Sequence, residues 1–86
     1  MKVLIPSPLR SYTQGRSEVE ASGATLAELL RNLDTDYPGI RFRMIDEQDQ
    51  VRRHMRIFIN GEPVKNLAHA IGASDEVSIV QALSGG

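Results

Sequence analysis

Cysteine is absent from this 86-residue chain, and that absence removes several chemistries at once. No disulfide staples the fold, no thiolate ligates zinc, and no cysteine serves as a nucleophile. Tryptophan is missing too, and two phenylalanines and two tyrosines are the only aromatics. Stacking platforms for single-stranded nucleic acid are therefore wanting. An excess of charge of one sign is lacking as well. Ten Lys and Arg against eleven Asp and Glu leave a net charge of −1, which favours neither nucleic acid nor an anionic membrane as a partner. The apolar run at Met1–Pro6 is far too short for a signal peptide or a membrane span. A soluble, cytoplasmic domain is the expectation.

Other sites fail on spacing. Gly39, Gly61 and Gly72 are isolated turn formers and make no phosphate-binding loop. Asp34, Asp36, Asp46 and Glu47 form no acid pair of the hydrolytic kind. His54 and His69 stand apart with no cysteine near them, so no metal site is expected. Arg41, Arg43, Arg52, Arg53 and Arg56 make the middle of the chain locally basic, interrupted by Asp46, Glu47 and Asp49. That run reads as a solvated or partner-docking face.

What remains has the pattern of one small globular domain, with 41% hydrophobic and 24% charged residues. Val3-Leu4-Ile5 opens as a strand that Pro6 and Pro8 stop. Residues 12–17 are rich in turn formers. Glu18-Val19-Glu20-Ala21 alternates as a second strand, in a hairpin with the first. Thr25 and Glu28 have the spacing of a helix-starting capping box. Leu26, Leu29, Leu30 and Leu33 then fall at i, i+3, i+4 and i+7, one apolar stripe. Asp36-Tyr37-Pro38-Gly39 ends that helix. Ile40, Phe42, Met44 and Ile45 suggest either a short helix or irregular cover, and residues 46–50 a solvated loop. Met55–Asn60 is a strand, Asn60-Gly61 a hairpin turn, and Glu62–Val64 a short return. Leu67–Ile71 is a compact turn, and Asp75–Ala82 the last strand.

This order fits an α+β fold, a mixed sheet of four to five strands with one main helix packed across it. Parallel pairing of the first and last strands would make it the β-grasp, which the order allows without forcing. Residues 1–82 are the expected domain and 83–86 a flexible tail ending in Gly85-Gly86. With no Cβ on either glycine, such a tail lies extended in a slot that rejects other side chains. A frayed terminus is the plainer reading of the same two residues.

The chain resembles the ubiquitin-like sulfur carriers, which include the molybdopterin synthase small subunit, the thiazole-pathway carrier and the carrier of a cysteine-forming pathway. The resemblance rests on Val3-Leu4-Ile5-Pro6, Gly23-Ala24-Thr25-Leu26, Asp36-Tyr37-Pro38-Gly39-Ile40 and Ile57-Phe58-Ile59-Asn60-Gly61-Glu62. It continues through Asp75-Glu76-Val77-Ser78-Ile79-Val80 to Gly85-Gly86. The Thr25-Leu26 helix start and the Leu9-Arg10 pair lean towards the cysteine-pathway carrier.

The resemblance implies that an ATP-dependent enzyme adenylates the Gly86 carboxylate and converts it to a thiocarboxylate. A sulfur-accepting biosynthetic enzyme would be the second partner, and a metalloprotease acting at the C-terminus a third. ATP belongs to the activating enzyme, and no cofactor is expected on the chain itself. Sulfur carried by this cysteine-free protein has to sit on the terminal carbonyl. Two rivals stay open. In one, the activated Gly86 is joined to lysines, of which the chain itself has only Lys2 and Lys65. In the other, the domain is an adaptor whose tail is never activated.

Partner contacts are expected where apolar residues fall out of phase with the core. Phe58 and Val80 alternate against Ile57, Ile59, Val77 and Ile79, so they face away from the helix, with Leu4 beside them. Either they form an exposed patch, or the segment Ile40–Gln50 covers them. Leu83 is either a docking anchor or the end of the last strand, and Ser84 a spacer.

Overall fold

The computed structural model describes residues 1–82. Five strands form one mixed sheet: β1 Lys2–Leu4, β2 Glu18–Glu20, β3 Met55–Ile59, β4 Glu62–Pro63 and β5 Val77–Gln81. Their order is β2-β1-β5-β3-β4. The first and last strands lie parallel in the centre, with Val3 opposite Val77 and Leu4 opposite Ser78. The other pairings are antiparallel, including the long β3–β5 ladder from Met55–Gln81 to Ile59–Val77. With helix α1, Leu26–Asp36, packed across one face, this is the β-grasp.

Alternation decides which face is buried. Val3, Val19, Met55, Ile57, Ile59, Val77 and Ile79 are all buried and form one cluster with the stripe on α1. Leu26, Leu29, Leu30 and Leu33 each have no accessible surface, the outcome their spacing predicts. The first three N–H groups of the helix all find partners. Thr25 Oγ1 accepts from the Glu28 N–H at 3.2 Å, while Leu26 and Ala27 donate to the carbonyls of His69 and Leu67. The Glu28 carboxylate returns to the Ala24 N–H, one residue before the cap, instead of to Thr25 itself. Gly23 lies against this turn so closely that a Cβ there would stand 2.5 Å from the Leu29 nitrogen. The break at Ser22-Gly23 is thus a packing contact as well.

Between β1 and β2 the chain makes a single 3-10 turn at Ser7–Leu9, which buries Leu9. Thr13, the one buried polar residue among the described residues, donates to the Arg16 carbonyl at 2.8 Å. Asn60 and Gly61 both have positive φ, 51° and 85°, as a two-residue hairpin of this sequence demands. The return strand β4 stops at Pro63, one residue short of the expected Val64. The last strand starts two residues later than expected, because Asp75 and Glu76 are tied to the Asn60 turn. β2 and β5 each end one residue early, at Glu20 and Gln81.

The segment after α1 is a short helix, α2, Ile40–Met44. The Asp34 carboxylate holds its start by accepting from the N–H groups of Gly39 and Arg41. Ile40, Met44 and Ile45 have no accessible surface and belong to the core beside α1. They do not cover the open sheet face. Phe42, on the opposite side of the turn, is 56% exposed.

Candidate functional site: the open sheet face and the root of the tail

The face of the sheet opposite α1 is built from the residues between the core positions. One row crosses three strands, Leu4 on β1, Ser78 on β5 and Phe58 on β3, and ends at Pro63 on β4. Val80 sits one step further along β5, opposite Arg56. Val80 is 43% exposed, while Leu4 and Phe58 are half-buried. None of the three joins the core cluster or the residues packed on it. The apolar surface therefore lies where alternation placed it, and Pro63 extends it. A groove of about 500 Å³ runs beside it, lined by Leu4, Pro6, Ser78, Val80 and Gln81.

Charges frame this face by register. Lys2 lies between Glu18 and Glu76 at 3.8 and 3.7 Å, at one end of the sheet. Arg56 lies at the other end, where β5 finishes. There the Ala82 N–H donates to the His54 carbonyl at 2.7 Å, so the tail's root is fixed against the start of β3. Leu83, Ser84, Gly85 and Gly86, the remaining expected site residues, lie outside the described residues.

The basic run of the sequence divides in space. Arg41 pairs with Asp49 at 3.3 Å. Arg43, Arg52 and His54 instead line a shallow hollow with Phe42 and Gln81, next to the tail's root. The Arg52 guanidinium stacks over the exposed Phe42 ring, 4.5 Å from its centroid. The sequence gives no sign of that stack, since the partners lie on different segments. A larger groove of about 840 Å³ lies on the helix side, lined partly by Thr25, Arg31, Arg41, Lys65 and Asn66. No residue of the open sheet face borders it, and no chemistry-bearing cluster lies in it.

Among the described residues no three His, Asp or Glu side chains come together in a way that would hold a metal. His54 and His69 are both exposed and sit on separate segments. No helix among the described residues is long and apolar enough to cross a membrane. Among the described residues the arrangement is an open, partly apolar sheet face that ends beside Ala82.

The fold is that of a small ubiquitin-like domain. The family described as ThiS matches residues 3–86, and the chain belongs to it. A curated relative, the sulfur carrier protein CysO of Mycobacterium tuberculosis, is 38% identical over 98% of this chain and 96% of its own. Its crystal structure superposes with a TM-score of 0.90 at 37% identity, covering 95% of this chain and 98% of that one. A chain of a solved Amycolatopsis orientalis BexX/CysO complex gives a TM-score of 0.91 at 32% identity, over 99% of this chain and 98% of that one. Small archaeal modifier protein 3 of Haloferax volcanii is 35% identical over 73% of this chain and 71% of its own. The protein is a sulfur carrier of the ubiquitin-like type and not an enzyme.

Proposed function

We propose that the Gly86 carboxylate is the working group, activated by an ATP-dependent partner and loaded with sulfur as a thiocarboxylate. A carboxylate resists substitution at carbon because oxide is a poor leaving group. Attack of the carboxylate oxygen on the α-phosphorus of ATP releases pyrophosphate and leaves an acyl adenylate. A sulfide equivalent held by the activating enzyme then attacks the carbonyl carbon, and AMP departs with the C–O electron pair. The resulting thiocarboxylate passes its nucleophilic sulfur to a biosynthetic acceptor. The Thr25-Leu26 helix start and the Leu9-Arg10 pair favour an acceptor that forms cysteine.

The observation that carries this reading is that the family match runs through Gly85-Gly86. The carrier's part is presentation. Docking through Leu4, Phe58 and Val80, with Leu83 and Ser84 leading into the slot, converts an encounter into a positioned attack. A metalloprotease that trims residues after the diglycine, where a precursor has them, completes the set of partners.

Intact-mass measurement after expression with the cognate activating enzyme tests it. Replacement of OH by SH adds about 16 Da, the same as one methionine oxidation, so alkylation of the thiocarboxylate must confirm the gain. Met44 and Met55 are buried and Met1 packs partly buried against the core, so none of the three is a freely exposed site of oxidation. An unmodified mass in the presence of ATP, sulfide donor and enzyme overturns the proposal. The likeness to a small archaeal modifier protein keeps one other reading in view, conjugation of Gly86 to lysines. Protein adducts in the same experiment mark that outcome.

A further inference from the structure

Arg43, Arg52 and His54 line one hollow with Gln81, beside Ala82, whose N–H donates to the His54 carbonyl, and two more of the chain's ten Lys and Arg residues, Arg53 and Arg56, flank His54 in the sequence. They come from two segments, α2 and the start of β3, that meet only in the fold. Elsewhere Lys2 pairs with Glu18 and Glu76 and Arg41 with Asp49, while Arg10, Arg16, Arg31 and Lys65 are spread singly along the chain, so what sets these four apart is their crowding. Among the described residues no carboxylate pairs with any of these four arginines.

Backbone carbonyls hold two of them, Arg52 and Arg56. Arg52 Nε donates to the Phe42 carbonyl at 2.7 Å, and Arg56 Nη1 donates to the carbonyls of Arg53 and Met55 at 2.7 and 3.0 Å. A carbonyl fixes a guanidinium without neutralising it. The remaining N–H groups keep their fork for an incoming anion, and the positions are set in advance. Like charges crowded together repel, so such a cluster is at its best when an opposite charge arrives.

We propose that these residues form a basic rim at the root of the tail, docking against acidic side chains of the protein that receives it. The inference rests on the reading that a partner takes up the Gly86 tail. Carboxylates on a protein surface fit better than a phosphate ligand for two reasons. The rim is spread around a shallow hollow of about 250 Å³ instead of an enclosed cradle. It also borders the apolar Val80 surface through Arg56, as the polar rim of a protein interface borders its core. The chain's net charge of −1 makes the rim a local exception, so attraction of an acidic partner there also sets orientation.

The test titrates a hexaglutamate peptide into the isotope-labelled full chain, followed by amide chemical shifts. Hexalysine and inorganic triphosphate are the controls. The expected shifts fall at residues 52–56, at Arg43 and at Ala82, and weaken steeply with added salt. They vanish in the double variant Arg53→Glu/Arg56→Glu, whose exposed positions leave the melting temperature unchanged. Arg43→Glu, on α2, gives the same loss of binding if the β3 variant proves unstable. Shifts elsewhere, binding that survives in a folded variant, or a site that takes triphosphate but not hexaglutamate overturns the proposal. A second arm offers the double variant to the cognate adenylating enzyme. A rise in KM of at least about fivefold with kcat unchanged is the expected result, and an unchanged KM counts against the rim. Failure of the parent to be adenylated at all removes the tail reading, and the peptide titration then decides the rim alone.

Discussion

The Asp75 carboxylate accepts from the Gly72 N–H and from the Asn60 amide, each at 2.8 Å, and Asn60 accepts from the Glu76 N–H. The Gly72 backbone bond first, and Asn60 second, hold its pKa below the ordinary 3.8, outweighing a small burial effect, with His69 adding to the lowering. A depressed carboxylate contributes stability that is present above its unfolded pKa and lost as pH falls through its folded one. The window therefore opens near pH 3.8 and extends downward. Urea midpoints of the parent fall across that window, and those of Asp75→Asn fall less; equal acid sensitivity in both would show the clasp is idle. Two residues before Asn60, Phe58 sits on the open face and outside the core. Phe58→Asp is expected to keep the fold, read by its melting curve, and to weaken calorimetric binding to the activating enzyme by more than about tenfold, or 1.4 kcal/mol. Parental affinity would remove Phe58 from the docking surface.

Among the elements, α1 depends on its stripe most directly. Leu30 has no accessible surface and lies mid-helix against the sheet. Leu30→Ala is expected to cost about 2–5 kcal/mol, out of the roughly 5–15 kcal/mol that holds a whole domain together. Denaturant titration measures it, and a loss under about 1 kcal/mol would place the stripe outside the core. This helix was legible because eleven residues give its period three turns to repeat. The five of α2 give one turn, so nothing in the sequence separated buried Ile40 and Met44 from exposed Phe42. Asn60-Gly61 was legible because two positive φ angles in succession need those residue types. The parallel β1–β5 pairing was allowed by the order but encoded in no local pattern, since its partners lie at opposite ends of the chain. The basic rim was visible only as a run of arginines. Its separation from Arg41, which Asp49 takes, needed the fold.

At the scale of the whole molecule, the central parallel pair has a geometric consequence. β5 runs in the middle of the sheet, and Ala82 is fastened to the His54 carbonyl, so the last four residues leave from a fixed root. The apolar row of Leu4 and Phe58 with Val80 lies on the same face, and the basic rim at the same end. Under the proposed function, a partner that grips the face meets Ala82, the root of the tail, at the same end. Deleting Gly86 draws the terminal carboxylate back by up to about 3.6 Å, one extended residue, well outside attack geometry on the α-phosphorus. Gly85→Val keeps the length but puts a β-branched side chain where the slot admits none, and narrows the backbone's choices as well. Neither change touches the buried cluster, so both variants are expected to melt like the parent while ATP-dependent pyrophosphate release with the cognate enzyme falls to background. Turnover of the Gly86-deleted chain at the parental rate would show that the diglycine is not the working end. The domain would then serve through its sheet face alone, as an adaptor.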